Sequence, residues 1–480
     1  IADNLGLNPK IAYIEGDDLM PRLAELQAAG EEFTHLDKGT VLKDSKAMTI
    51  SANAYFGCWG IVRALEEGAD IVVGGRIADA SVVVGPAAWW FGWKRDDWDR
   101  IAGASTAGHI IECGAQATGG NFSFIDEVPD FRRVGFPIAE ISGDGSFIIT
   151  KHPGTGGLVS VDTVKAQLLY EIREPAYLTP DAVARFDTIA ISQEGPDRVK
   201  VAGVKGEPPT PTTKVCINTL AGYRNSMTVI LTGLDIDKKA RIMEEALFDA
   251  IGGREQFKVC SVQLVRSDKE DPATNEEAFA YLRITVLDQD QKKVDKISSK
   301  VVELALANIP GFTATAPPAK GTPAIVYWPA LVSSGLVSQK VVIGEQEFTV
   351  EATQPSGGFS APHPPEVKIP AAPGGEMVRV PFGRVFAARS GDKGGNANLG
   401  VWAKTPEAYA FLRSFLETDR LKAMLPDLAP YEIERYELPN LLALNFYIRG
   451  ILGEGAAASL RMDPQAKTLS ESQISFVLGR

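Results

Sequence analysis

From Thr353 to Gly375 the chain is so dense in proline and glycine (Pro355, Gly357, Gly358, Pro362, Pro364, Pro365, Pro370, Pro373) that neither a helix nor an interior strand can pass through it. Proline has a fixed φ and no N–H to donate, and glycine loses the most freedom on being ordered. Such a stretch is an extended connection. Residues 351–376 are therefore expected to be a linker, with a terminal domain at 377–480. A chain of 480 residues also exceeds what a single core supports, so more than one domain is expected before the linker ends.

Residues 1–185 read as an α/β N-terminal domain with a Rossmann-like open sheet. Lys10–Ile14 is a short apolar strand that runs into Glu15-Gly16-Asp17-Asp18. Tyr55–Glu67 is helical and stops at Gly68; the strand Asp70–Val73 then breaks at Gly74-Gly75-Arg76-Ile77-Ala78-Asp79 before another helix. Strand, glycine loop and helix form a βα unit whose loop lies at the carboxyl edge of a sheet. From 186 to 350 the pattern is β-rich. Asn225–Thr232, Lys258–Val265 and Tyr281–Leu287 are predicted strands. Ala240, Met243, Leu247 and Ile251 mark one helix face, and Val294, Ile297, Val301 and Leu304 another. A further strand near Ala324–Tyr327 or Lys340–Ile343 completes a βαββαβ order, a ferredoxin-like subdomain. After the linker, Met377–Ala387 alternates like a strand, Ala388–Gly400 is a polar loop, and Leu399–Ala403 begins the next strand. Helices over Pro406–Leu416 and Asp419–Met424, strands over Tyr431–Glu437 and Asn440–Ile448, and a closing segment Leu469–Phe476 follow, an α+β pattern.

Several clusters carry chemistry. Glu15 and Asp17 sit at the end of a strand, where open sheets place functional groups; Asp17 and Asp18 equally suit the start of the next helix. Arg76 and Asp79 project from a glycine loop, or form a surface pair beside a turn. In Gly108–Asn121, a helix reaching Cys113 or beyond puts His109, Glu112 and Cys113 or Gln116 on one face. His109 is the best placed of the four histidines for proton transfer, and a buried histidine without chemistry fits the same spacing. His-x-x-Glu can also ligate a divalent metal, but no second cluster of matching spacing is evident, and no cofactor is firmly implied. Cys113 as a nucleophile would require a lowered pKa. Lys151 and Thr155 lie in a glycine loop that empties into a helix start, a generic anion site or a plain turn. Arg389, Asp392 and Lys393, among four glycines of the polar run, suit the gripping of an anion, or a hairpin turn.

The run Ala-Arg-Ser-Gly-Asp-Lys-Gly at 388–394 resembles the signature of the C-terminal domain of the acyclic terpene utilisation (AtuA-like) family. Gly-Gly-Arg-Ile-Ala-Asp-Ala at 74–80, within a matching stretch Asn53–Pro86, resembles it as well. So do Glu112, Cys113, Gln116, Thr118, Gly119 and Gly120, which match a Glu-Cys-x-x-Gln-x-Thr-Gly-Gly motif. The resemblance spans essentially the whole sequence, and it implies a ferredoxin-like, AtuA-like C-terminal domain. Family members carry a glycine-rich strand-loop and helices before the point where this sequence starts, so it is expected to be partial. The resemblance further implies breakdown of acyclic terpenes such as citronellol and geraniol through CoA thioesters, by lyase-type cleavage of a 3-hydroxy-3-isohexenylglutaryl thioester with loss of acetate. On that reading His109 or Glu112 is the base, with Arg76 and the N–H groups of Gly119 and Gly120 as oxyanion support. Asp79, Glu15, Asp17, Asn53, Gln116, Thr118, Lys151 and Thr155 complete the site, and Arg389 and Lys393 hold a carboxylate or phosphates. The alternatives are a non-catalytic partner of an acyl-CoA carboxylase, and a hydratase or isomerase of similar thioesters.

Charge and composition bound the partners. The net charge is −12 and no basic cluster tracks a phosphate backbone, which argues against nucleic acid. An acyl-CoA substrate then requires a local basic pocket against the overall field. The longest apolar stretch, Ala69–Trp90, is interrupted by Arg76 and Asp79, so no membrane span is expected. Four dispersed cysteines point to a cytoplasmic or other reducing compartment. A homo-oligomer is expected.

Overall fold

The computed structural model describes residues 2–355, 360–374 and 379–474. Its spine is one strand of 21 residues, Thr212–Thr232. Odd-numbered positions along most of it are buried and even-numbered ones are not, as a strand with one covered face in each half requires. Its first half pairs with Thr322–Ser333 on one edge and Met48–Ala54 on the other; its second half pairs with Phe279–Asp288 and Phe312–Ala314. Gly222 lies where the pairing shifts, at φ 121°, and a Cβ there would stand 2.3 Å from the Asp288 carbonyl oxygen.

The second half is a ferredoxin-like unit. Helices Ile236–Ile251 and Gln291–Leu304 pack on the face carrying Met227, Val229, Leu231, Leu282 and Ile284. The antiparallel strand order is Val259–Val265, Phe279–Asp288, long strand, Phe312–Ala314, so the βαββαβ pattern is present but its closing strand is Phe312–Ala314, not Ala324–Tyr327, which pairs with the first half of the long strand, or Lys340–Ile343, which joins the first sheet.

The first sheet departs from expectation. Ile11–Glu15 runs parallel to Ile71–Gly74, but on its other side it pairs antiparallel with Gln339–Ile343, which continues into Gln346–Val350. One parallel pair among four strands is not a Rossmann-like sheet. Half of the sheet comes from residues assigned by pattern to the 186–350 subdomain, so these two regions share a core rather than meeting at a boundary. The change at 186 is crossed in the same way. Phe147–Lys151 pairs with Arg198–Ala202, and Val183–Arg185 with Lys205–Glu207.

Between these sheets runs the helix Trp98–Ile111, buried continuously from Ile101 to Ile110. Gly108 lets it approach Ala80, whose carbonyl oxygen would be 2.7 Å from a Cβ at that position. The helix ends at Ile111, earlier than the sequence suggests, and Gly114–Thr118 continues as a 3₁₀ turn. His109 and Glu112 therefore stay together while Gln116 does not share their face.

Residues 360–374 carry neither helix nor strand, and 356–359 and 375–376 of the linker reading fall outside the described residues, as do 377–378 of the strand expected over Met377–Ala387; that strand begins only at Phe386, after a 3₁₀ turn at Phe382–Arg384. The terminal sheet has the order Phe386–Lys393, Asn396–Ala403, Ala443–Ile448, Ile433–Leu438, all antiparallel, with helices Pro406–Phe415 and Thr418–Met424. Of the closing segment, Leu469–Ile474 is helical, and Ser475 and Phe476 lie outside the described residues. The polar run 388–400 is not a loop. It is two strands joined at Gly394-Gly395, with Lys393 opposite Asn396. Its polar residues are buried because they bond to the preceding part of the chain. Asn398 Nδ2 donates to the Leu169 carbonyl at 2.6 Å and to Asn445 Oδ1 at 2.9 Å, and its Oδ1 accepts from the Glu171 N–H at 2.8 Å. Asn445 Nδ2 donates to the Arg173 carbonyl at 2.9 Å.

Replacing Asn398 by leucine leaves a buried carbonyl and a buried N–H unpaired, each worth about 1–3 kcal/mol. Urea denaturation of Asn398→Leu is expected to show the first unfolding transition weakened by about 3 kcal/mol; a shift below about 0.5 kcal/mol would mean that these bonds do not hold the domains together.

Candidate functional site

Three parts of the chain converge where the terminal hairpin meets the first domain. The loop after Ile71–Gly74 brings Arg76 and Asp79. It is fixed by Asp17, whose carboxylate accepts from the Arg76 N–H and from Asn53 Nδ2, both at 2.9 Å. Gly75 is required here, since a Cβ would lie 2.0 Å from the Asp17 carboxylate. The fully buried Asp181 secures the other end of the loop, accepting from the Cys58 N–H at 2.8 Å and the Ser81 hydroxyl at 2.5 Å. Asp17 and Asn53 thus position the loop. Glu15 does not take part: it is exposed, opposite Lys340 in the sheet.

Helix Trp98–Ile111 delivers His109 and Glu112 at its end. His109 is 1 % exposed, packed against the rings of Tyr177 and Phe186, with Nδ1 3.4 Å from Glu112 Oε1. It has no route to a ligand except through Glu112.

The hairpin supplies Lys393, and the long strand supplies Lys214 from its even-numbered face. The Lys214 ammonium lies over the rings of Tyr55 and Tyr327, 5.7 and 5.4 Å from their centroids, and Arg76 lies over Tyr55 at 5.4 Å. Tyr170 precedes Glu171, a residue held at φ 56°, a conformation uncommon for a side chain other than glycine and one that clusters at functional sites. The Tyr170 ring fills the space beside Gly391, where a Cβ would be 2.3 Å from it.

These groups perturb one another. Burial pushes the Glu171 carboxyl up, against the pull of Tyr170 and Lys393. Burial, then the Glu112 charge, does the same to Asp79, with Arg76 and Lys393 opposing. Lys393 is drawn down by burial and then by Lys214, while Glu171, Glu112 and Asp79 act to raise it. Tyr177 is raised by burial and by Glu112, Asp79 and Glu171. Among the described residues none of Arg76, Asp79, Glu171, Lys214 and Lys393 forms a close ion pair; Glu112 has only His109. Three cations and three carboxyls therefore face a common space without neutralising one another pairwise.

Other expected site residues are committed elsewhere. The N–H groups of Gly119 and Gly120 both donate to the Ala115 carbonyl, so they offer no oxyanion hole. Thr118 bonds to the Gly135 and Ala115 carbonyls, and Gln116 accepts from Asn121. Lys151 is paired with Asp197 at 3.2 Å and donates to the Thr155 carbonyl, and the Thr155 hydroxyl donates to His152. The N–H groups of Gly156 and Gly157 bond to the Arg133 and Asp130 carbonyls, and Ser160 caps the helix that follows, so this loop is not an anion site. Arg389 donates to the Asn121 carbonyl at 2.8 Å and stacks over Tyr170, which makes it a docking residue. Burial pushes the Asp392 carboxyl up, with the Lys467 and Lys393 charges opposing. Cys113 is raised by burial and by Glu112 and Glu171, the reverse of what a thiolate nucleophile needs.

Glu171, Tyr177, Lys214 and Tyr327 were not signalled by sequence. The one available cue was Lys214, a charge at an alternating position of a strand, and that pattern marks an ordinary solvated face equally well. Among the described residues no group of three His, Cys, Asp or Glu side chains is arranged to hold a metal ion, and no helix is long and apolar enough to cross a membrane.

Residues 1–343 match the model of the acyclic terpene utilisation family protein AtuA, and residues 380–478 match that of the AtuA ferredoxin-like domain. Neither the curated proteins nor the solved structures compared with the chain give a match. The match covers both sides of the linker and includes the loop, helix and hairpin that build the chamber: the chain belongs to the acyclic terpene utilisation family.

Proposed function

We propose that the protein is a lyase of acyclic terpene breakdown that cleaves a 3-hydroxy-3-isohexenylglutaryl-type acyl-CoA thioester with loss of acetate. The observation that carries this reading is the set of unpaired charges, Arg76, Lys214 and Lys393 facing Asp79, Glu112 and Glu171. Family membership supports the substrate class.

Glu171 takes the proton from the 3-hydroxyl. The bond between C3 and C4, the methylene of the carboxylate arm, breaks, a ketone forms at C3, and the electron pair passes to that methylene carbon, C2 of the departing acetate. That fragment is already a carboxylate, so the transition state gathers a second negative charge. Preorganised cations suit such charge, and more than one is needed. Arg76, Lys214 and Lys393 supply them. Glu112, with His109 behind it, returns a proton to C2. This assignment replaces His109 as direct base, because its ring is enclosed, and replaces Gly119 and Gly120 by side-chain cations.

Mass spectrometry of products from the full-length protein and branched 3-hydroxyacyl thioesters tests the assignment. Lys393→Met is expected to lower kcat/KM about 10²–10³-fold, as loss of one charge-stabilising donor does elsewhere. Lys151→Ala, which removes the Asp197 pair and the bond to the Thr155 carbonyl, is expected to leave turnover unchanged. Equal rates in wild type and Lys393→Met would overturn the reading.

The pH profile is a second test. A general base acts when ionised, so kcat/KM rises as pH climbs through the Glu171 value, which lies above the ordinary 4.5. The cation acts when protonated, so the rate falls as pH climbs through the Lys393 value, which lies below the ordinary 10.5. A bell with both limbs drawn inward is expected. Glu171→Gln removes the acidic limb and most of the rate; an acidic limb that persists in this variant at unchanged rate would exclude Glu171 as base.

A further inference from the structure

Beyond the register shift at Gly222 the long sheet carries a second cationic place, on the face opposite to that of Lys214. Past Gly222, Arg224, Ser226 and Thr228 of the long strand lie on the side away from the helices, with Arg283 opposite Thr228 and Thr285 opposite Ser226. The Ser226 and Thr285 hydroxyls bond to each other at 2.8 Å between the two arginines. Both guanidinium groups are half-buried. Each makes one hydrogen bond, Arg224 to the Ser459 carbonyl and Arg283 to the Leu460 carbonyl, both at 3.2 Å.

Among the described residues neither arginine has a carboxylate partner. Arg283 is drawn below the ordinary arginine value by burial, and then by Arg224 alone, with no acidic group offsetting it. In a chain with 61 acidic residues and net charge −12, two adjacent half-buried cations without a counter-charge are not incidental to composition. Uncompensated charge taken out of water is costly, and an anion that neutralises it is bound correspondingly well. A guanidinium has five N–H donors, so most of the donors at this place are uncommitted. Gln263, beside Arg283 on the neighbouring strand, has its Oε1 buried without a partner, and its amide can turn to present N–H instead.

We propose that Arg224 and Arg283 form a binding site for a phosphate ester, at the seam between the long sheet and the Ser459–Leu460 segment. Two guanidinium groups match the two charges of a phosphate monoester, whereas a carboxylate would leave one cation unbalanced, and guanidinium forks fit phosphate oxygens bidentately. The segment that reaches the arginines also borders the chamber: a Cβ on Gly455 would lie 3.6 Å from Tyr327 and from the Gly394 carbonyl.

Calorimetric titration of the full chain with inorganic phosphate and with pyrophosphate tests the site, independently of the reaction proposed above. Saturable binding is expected, weakened at least about tenfold in Arg283→Gln and separately in Arg224→Gln, and unaltered in Lys393→Met. Circular dichroism confirms that each variant is folded; should one not fold, the other decides. No saturable binding in wild type, equal binding in both arginine variants, or loss in Lys393→Met alone would overturn the proposal. Coenzyme A distinguishes the sources of the phosphate: competition with inorganic phosphate identifies the tail of a thioester substrate, and absence of competition identifies a separate phosphorylated ligand, with the site standing in either case.

Discussion

The chamber depends on a buried amide contact between two parts of the chain. The carbonyls of Leu169 and Arg173 and the N–H of Glu171 close a turn that no helix or strand completes, and they are satisfied by Asn398 and Asn445 from the terminal sheet. Buried backbone groups left unpaired are expensive, so the turn and the hairpin stabilise each other or neither is well placed. The strained backbone of Glu171 persists because of this contact, and the same two strands carry Lys393 to the far end of the hairpin. Docking and site assembly are thus one structural event.

The long strand sets the other dimension. Its odd-numbered residues are covered along its whole length, first by the core around Val215 and Ile217 and then by the two helices at Val229 and Leu231. The register shift at Gly222 exchanges the two faces, so Lys214, Cys216 and Asn218 lie on one side of the sheet and Arg224 and Ser226 on the other. The terminal domain reaches the second of these sides, with Ala458 packed against Ala221 and Val326. Alternation in a single strand therefore separates packing from chemistry on each side of the shift.

What could be read from the sequence was local. The helix faces at 236–251 and 291–304 repeat every three to four residues, and that repeat located the ferredoxin-like unit. The loop at 74–79 and the pair His109 and Glu112 were visible because the groups are neighbours in the text. The Rossmann-like reading failed because the strands that flank Ile11–Glu15 include Gln339–Ile343, and local patterning carries no information about which distant strand will pair. Glu171 and Lys214 were missed for the same reason: each is unremarkable among its neighbours and gains meaning only from what is folded against it. The glycine loops at 119–120 and 154–157 misled in the opposite way. Sequence displays N–H donors but not the carbonyls of Ala115, Asp130 and Arg133 that consume them.

The perturbed carboxyls bear on how an acidic protein admits an anion. If Asp79, Glu112 and Glu171 were all fully ionised, three negative charges would cancel Arg76, Lys214 and Lys393, and the chamber would offer nothing against an overall charge of −12. Burial instead works against the ionised forms of Asp79 and Glu171, and against the charged form of Lys393 as well, so none of these three holds its charge as firmly as an exposed group would. An incoming anion raises both carboxyls further while drawing Lys393 back toward its charged form, since each responds to the same added negative charge. Binding and protonation are then coupled: an incoming carboxylate favours the charged form of Lys393 that the proposed reaction uses, and works against the ionised Glu171 that the same reaction needs as its base. Pairing each charge with a fixed partner would have prevented this, and the absence of such pairs is what distinguishes this cluster from the ion pairs on the surface of the same molecule.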